Sequence, residues 1–168
     1  MSDPIEPAPT ADLAARRTAL LDRYATGADD VVDALAGISD AELDRALPGD
    51  AWPARAVVHH IADSESMAYI RLRRLLADEP PVVIQGYDEP VWAQRLHYDR
   101  PIDASVAVVR AVRAASLELL RSLTPDEWAR TGVHSEAGPY SVDLWLEIYA
   151  EHSHDHADQI RRARRGEA

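Results

Sequence analysis

Residues 53–77, PARAVVHHIADSESMAYIRLRRLLA, predict one long helix. Apolar side chains recur there every three or four residues, and Pro53 is well suited to a first helical turn. The following segment, Asp78-Glu79-Pro80-Pro81, ends the helix, because proline lacks an amide hydrogen and keeps the residue before it out of helical geometry. A long helix with such an apolar stripe has to bury it against other helices.

Three further long helices are predicted by the same spacing, over residues 11–35, residues 103–123 and a last segment capped by Ser141. Gly27 leaves the continuity of the first of them open. Residues 79–103 form a long, proline-punctuated connection between the second and third helices, and no segment alternates like a strand. The pattern predicts an all-α four-helix bundle with a long crossover.

The composition indicates one ordinary globular domain over residues 11–168, preceded by a flexible acidic arm over residues 1–10. A net charge of −11 argues against nucleic acid and anionic membrane surfaces as partners. The chain has no cysteine, which excludes disulfides, thiolate metal sites and a cysteine nucleophile. Without a membrane-length apolar run or a signal peptide, the expected location is the cytoplasm.

Five of the seven histidines fall in two clusters on predicted helices. His152 and His156 are four residues apart, so they project about 40° apart on one helix face, while His154 points to the opposite face. This pair supplies only two metal ligands, and a third has to come from another helix. His59 and His60 are the candidates, and helical periodicity alone leaves the choice between them open.

An HxxxH pair on its own is more often two solvated or hydrogen-bonded histidines than a metal site. A second histidine cluster on another core helix of a cysteine-free chain favours the metal. Three imidazoles without a thiolate suit one divalent ion of Zn, Ni, Co or Fe, with positions left for water or substrate. Asp63, one turn after His60, is a candidate for orienting a ligand imidazole through a hydrogen bond.

Two segments resemble the signatures of the DinB-like superfamily. These are WPARAVVHHIAD, from Trp52 to Asp63, and YAEHSHDHADQI, from Tyr149 to Ile160. The chain is most similar to the YfiT-like group of proposed metal-dependent hydrolases and thiol S-transferases. The motifs shared with that group are VVHHIADS at 57–64, Tyr69-Ile70-Arg71, Tyr87-Asp88-Glu89 and Trp92-Ala93.

The resemblance implies an up-down-down-up bundle, a homodimer, and one divalent metal held by three histidines. The group's first ligand lies eight residues after the tryptophan, which is His60 here, and the other two are His152 and His156. Glu65 is a departure, because it stands where similar proteins tend to carry another histidine.

A metal held by neutral histidines can activate either of two nucleophiles. It lowers the pKa of bound water to about 7, which would support hydrolysis, and it lowers that of a thiol, which would support thiol transfer. The superfamily is similar to thiol S-transferases and to a mycothiol-dependent isomerase, and the sequence shows no obvious nucleophile of its own. We therefore expect transfer of a small thiol, mycothiol or bacillithiol, as a thiolate to an electrophilic substrate. The alternatives are a metal-dependent hydrolase and a non-catalytic metal-binding stress protein.

Overall fold

The computed structural model describes residues 10–49 and 51–168. The arm predicted for residues 1–10 lies outside the described residues except for Thr10, where the first helix begins. The elements in chain order are α1 (Thr10–Ala34), α2 (Asp40–Leu43), α3 (Ala54–Ala77), β1 (Val83–Ile84), α4 (Glu89–Arg95), α5 (Asp103–Arg121), α6 (Pro125–Trp128), β2 (Thr131–His134), β3 (Gly138–Ser141) and α7 (Val142–Arg165). The four long helices α1, α3, α5 and α7 form the predicted bundle.

Contacts between α1 and α7 show that these two helices are parallel. Near their starts, Arg17 pairs with Asp143 at 2.7 Å, and farther along both helices Asp30 pairs with Arg161. Two more ion pairs, Arg16–Glu147 and Arg23–Glu151, lie on the same outer seam. No helix in the described part of the chain is both long and apolar enough to cross a membrane.

Contacts between α3 and its neighbours complete the topology. His59 meets Ser105 and Glu65 meets Arg113, so α3 and α5 run in the same direction. His60 of α3 lies beside His156 of α7, and Ala68, farther along α3, meets Trp145, earlier on α7, so α3 and α7 are antiparallel. The bundle is therefore up-down-down-up, as the resemblance implied.

Capping side chains mark the starts of three helices, including the start that the sequence predicts after Ser141. The Ser39 and Thr124 hydroxyls accept hydrogen bonds from backbone amides of α2 and α6, and each helix closes a capping box with a glutamate. The Ser141 hydroxyl accepts a hydrogen bond from the Leu144 amide at 3.0 Å, which caps α7.

The apolar core has two parts along the bundle, one around Trp145 and one around Ile61. The Trp145 indole is fully buried and donates to the carbonyl of Ala68, which ties α7 to α3. Between the two parts lies a buried polar layer that includes Glu65 and Arg113. The histidine cluster lies on the Ile61 side of this layer.

Gly27 does not interrupt α1, which is continuous from Thr10 to Ala34. A side chain at this position would place its Cβ only 2.5 Å from Arg113 Nη2 and 3.0 Å from Ser153 Cβ. The glycine is therefore explained by close packing against a buried guanidinium, which outweighs its poor helix propensity.

The sequence did not predict a small sheet or the short helix α4. β1 pairs in parallel with β2, and β2 pairs antiparallel with β3. The strands contain only two to four residues, too few for an alternating pattern to be recognised. β1 and α4 both lie within residues 79–103, so the predicted irregular crossover is partly structured and is tied to the β2–β3 hairpin.

Candidate metal centre

The structure brings together the three histidines that the resemblance implied as ligands. His60 lies in the second turn of α3, and His152 and His156 lie one turn apart on α7. One ring nitrogen from each lies within 4.8 Å of the others. The ring centroids are 4.6 Å apart for His152 and His156, and 4.8 Å apart for His60 and His156. This spacing suits three imidazoles around one ion.

Neighbouring side chains orient the two α7 rings. Gln159 Oε1 lies 2.7 Å from Nδ1 of His156, so that nitrogen donates and Nε2 is left without a proton. Nδ1 of His152 lies 3.7 Å from Glu65 Oε1, and its Nε2 lies 3.3 Å from the Ser64 hydroxyl. A hydrogen-bond partner on one ring nitrogen, as Gln159 gives His156, is typical of metal-binding histidines.

His60 is enclosed by the loop before α3 and by α4. Its ring contacts the edge of Trp52 with centroids 5.2 Å apart, and its Nδ1 lies 4.0 Å from the Glu89 carboxylate. Nδ1 of His60 and Nδ1 of His152 are both buried, and neither has a hydrogen-bond partner. Buried imidazole nitrogens without partners are costly unless something binds there.

The electrostatics of the cluster keep two of these imidazoles uncharged. Burial lowers the pKa of His60 to about 3, with repulsion from His156 and His152 adding to the effect. Burial, followed by repulsion from His152, lowers the pKa of His156 to about 4. Neutral imidazole is the form that binds metal. The donor set, its spacing and its protonation therefore fit one divalent metal ion.

The other histidines on these helices are engaged elsewhere. His59 is fully buried, with Nδ1 2.7 Å from the Ser105 hydroxyl and Nε2 2.9 Å from the carbonyl of Arg100. His154 points toward α1, with Nδ1 2.7 Å from Asp30 Oδ2. The choice between His59 and His60, open from periodicity, is thus resolved by what packs against each face of α3.

Asp63 is not brought to the cluster. Its carboxylate accepts a hydrogen bond of 2.7 Å from the Tyr98 hydroxyl, which fastens the end of the crossover to α3. The positions next to the imidazoles are taken by Gln159 and Glu65. Gln159 is three residues after His156 on the same helix face, a spacing that could have indicated it. For Glu65, the only signal in the sequence is its departure from the family pattern.

Glu65 is held by a buried ion pair. Arg113 Nη1 lies 2.5 Å from Glu65 Oε1 and also donates to the Ser153 hydroxyl and the Tyr149 carbonyl, while Nη2 donates to the carbonyl of Tyr24. Burial is the largest single influence on the pKa of Glu65 and raises it, but the interactions with Arg113 and His152 together outweigh burial, so the net direction is down. An ionised carboxylate therefore lies 3.7 Å from Nδ1 of His152.

The low pKa values of His60 and His156 predict that the metal-free protein loses stability in acid. Between pH 6.5 and about 4 the unfolded chain binds protons at these histidines and the folded chain does not, so the free energy of unfolding falls as pH falls. We expect urea unfolding at pH 5 to give a free energy about 2 to 4 kcal/mol below that at pH 7.

The matched variants are His60→Gln, which should remove about 2 kcal/mol of this pH dependence, and His97→Asn on the exposed loop, which should leave it unchanged. An unfolding free energy that is equal at the two pH values, or a His60→Gln variant with the full dependence, would contradict the prediction.

Comparisons with known proteins agree with this architecture. The sequence pattern of the DinB superfamily matches residues 23–160. A protein from Oceanobacillus iheyensis named "Putative metal-dependent hydrolase" is 37% identical over 123 residues, covering 73% of this chain and 71% of its own. One of the same name from Halalkalibacterium halodurans is 28% identical over 126 residues, 75% of this chain and 73% of its own.

Among solved structures, the chain is similar to YfiT from Bacillus subtilis, described as "a probable metal-dependent hydrolase with an unusual four-helix bundle topology". The TM-score is 0.82 with 26% sequence identity, and the match covers 99% of this chain and 95% of that one. The likeness thus extends over the whole bundle, including the small sheet and crossover region.

Proposed function

Since this chain belongs to the DinB superfamily, we propose that it is a metal-dependent enzyme that transfers a low-molecular-weight thiol to an electrophilic substrate. The observation that carries the metal-dependent part is the cluster of His60, His152 and His156, with ligand nitrogens within 4.8 Å of one another. The metal dependence in the names of its relatives supports the same reading.

The three histidines would hold the metal, which when bound supplies the Lewis acidity that favours a thiolate over a thiol at neutral pH. Gln159 orients the His156 ring, and the Glu65 carboxylate lies near Nδ1 of His152. Trp52 and α4 cover His60 and restrict the approach of bulk water to the cluster. In this proposal the chain's own residues hold the metal and orient the imidazoles that bind it.

Support for transfer over hydrolysis comes from the groups around the cluster. The chain has no cysteine, and Glu65 is locked in its ion pair with Arg113. Burial raises the pKa of Tyr87 to about 12, so its hydroxyl keeps its proton at neutral pH. A nucleophile brought by a thiol cosubstrate suits a site that has no cysteine and where Glu65 and Tyr87 are engaged or protonated.

The second candidate is a metal-dependent hydrolase, which the names of the relatives favour. One residue is placed for it: the Glu89 carboxylate, half exposed and 4.0 Å from His60 Nδ1, could accept a proton from water near the cluster. Thiol transfer has no need of this base. Glu89 therefore separates the two reactions.

The test measures conjugation of a bimane halide by protein loaded in turn with Zn, Ni, Co and Fe(II), with mycothiol, bacillithiol or cysteine as the thiol. We expect conjugation well above the uncatalysed rate with at least one thiol, abolished by a chelator and retained in Glu89→Gln. Turnover of simple esters without thiol, lost in Glu89→Gln, would transfer the assignment to a hydrolase. Metal binding without either reaction would favour a non-catalytic metal-binding protein.

A further inference from the structure

Arg71 brings a positive charge close to the histidine cluster. It lies eleven residues after His60 and seven after Ser64, so all three share one face of α3, and its side chain leans back toward them. Arg71 Nη1 donates to the Tyr149 hydroxyl at 2.9 Å. The Tyr149 ring in turn packs edge-on against the His152 ring, with centroids 5.6 Å apart. Only one aromatic side chain separates the guanidinium from a ligand histidine.

This guanidinium has no acidic partner within 4.0 Å among the described residues. It donates hydrogen bonds to the Tyr149 hydroxyl and to the carbonyl of Gln85, and both of these acceptors are uncharged. Its Nε is buried and has no hydrogen-bond partner. A buried N–H donor without an acceptor is costly, and such groups in native proteins usually meet one, even where the rest of the guanidinium is partly exposed. In a chain of net charge −11, an unpaired arginine at this place calls for an explanation.

Tyr87 supplies a second unused donor at the same place. Its hydroxyl is buried and makes no hydrogen bond of normal geometry, although Ser64 is near enough to oppose the rise of its pKa, and its ring packs on Trp92 with centroids 4.5 Å apart. The guanidinium carbon of Arg71 lies 5.8 Å from the Tyr87 ring centroid. Two motifs shared with the YfiT-like group, around Arg71 and around Tyr87, thus meet beside the histidines.

The acidic side chains near the cluster do not neutralise this charge. Glu65 is paired with Arg113 inside the bundle, and Glu89 lies toward His60. A guanidinium with no acidic partner and a free Nε–H, next to a hydroxyl that makes no hydrogen bond, is complementary to a small planar anion.

We propose that Arg71 and Tyr87 bind a carboxylate carried by the thiol or its acceptor, beside the reacting atom at the histidine cluster. The proposal rests on the proposed function, because it places the carboxylate relative to a thiol at the metal. It narrows the substrate class to compounds with a carboxylate a few bonds from the reacting atom. Arg71 is a specificity-determining residue in this assignment, and Tyr87 assists it.

The test is a binding measurement on the cobalt-loaded protein, where thiolate binding changes the visible absorption of the metal. The probes are mercaptopropionate and mercaptopropionamide, which differ only in the carboxylate. We expect the carboxylate thiol to bind about 10- to 100-fold more tightly than the amide, the range of a charge-assisted hydrogen bond. Equal affinities for the two thiols would overturn the carboxylate site without contradicting the thiol-binding metal centre.

Variants assign the preference to residues. Arg71→Gln should reduce it to within about 3-fold, and Tyr87→Phe, which removes only a hydroxyl, should reduce it in the same direction. The matched control is Arg73→Gln, because Arg73 stacks on Tyr69 on another face of the same helix. A preference that survives both Arg71→Gln and Tyr87→Phe would overturn the proposal. Failure of the wild-type protein to bind cobalt or either thiol would overturn the proposed function, and this inference with it.

Discussion

Replacing His156 with alanine is expected to leave the purified protein almost free of metal. The cluster offers three imidazoles within 4.8 Å of one another, and removing one leaves two ligands with no thiolate in the chain to substitute. We expect an affinity loss of at least about 100-fold, beyond the 10- to 100-fold typical of losing an outer hydrogen-bond partner. Metal content by elemental analysis, and a competition titration with a coloured chelator, measure it. His60→Ala and His152→Ala should behave alike.

The matched controls lie on the same two helices. His154 lies two residues from each of the α7 ligands, but its ring contacts Asp30 of α1. The His154→Ala variant should therefore keep a metal content near that of the wild type. His59→Gln removes the ring next to His60 in the sequence. Equal metal loss from the changes at positions 59 and 60 would refute the assignment of the third ligand.

Replacing Arg113 with methionine is expected to lower the free energy of unfolding by about 3 to 5 kcal/mol. The change leaves Glu65, which is 1% exposed, as a buried carboxylate without its counter-charge, and this is the costly way to break a buried ion pair. The double variant Arg113→Met, Glu65→Leu removes both charges, and its stability should return to within about 2 kcal/mol of the wild type. Urea unfolding of the metal-free proteins at pH 7 gives these values.

Arg110 on the same helix is the control for Arg113. It pairs with Asp29 at 3.7 Å, with both side chains largely exposed, so Arg110→Met should cost no more than about 1 kcal/mol. The interpretation fails if Arg113→Met costs no more than Arg110→Met, or if the double variant is less stable than the single one.

The long helices were predictable because their signals are local. Apolar spacing, Pro53 and the cap at Ser141 act over a few residues, and the observed bounds of the long helices differ from the predicted ones by at most two residues. The sheet was not predictable, because Val83 and Val133 pair across fifty residues and the strands are too short to show alternation.

The candidate site also contains some features that local sequence patterns predict and others that they do not. The facing of His152 and His156 follows from their separation on one helix, whereas His60 was distinguished from His59 only by family resemblance. The proximity of Asp63 to His60 in the sequence suggests that it orients a ligand imidazole, but its carboxylate accepts a hydrogen bond from the Tyr98 hydroxyl instead. The link from Glu65 to Arg113 spans 48 residues and two helices, so no local pattern reports it.

The parallel arrangement of α1 and α7 has a practical consequence for fusions and affinity tags. α1 contains 25 residues, so its two ends are about 37 Å apart, and its start lies beside the start of α7, far from the histidines. Arg165, at the other end of α7, is only nine residues past His156, or about 13 Å along the helix. A polyhistidine tag after α7 would hang within reach of the metal ligands and compete for the ion, whereas one ahead of α1 would project from the opposite end of the bundle.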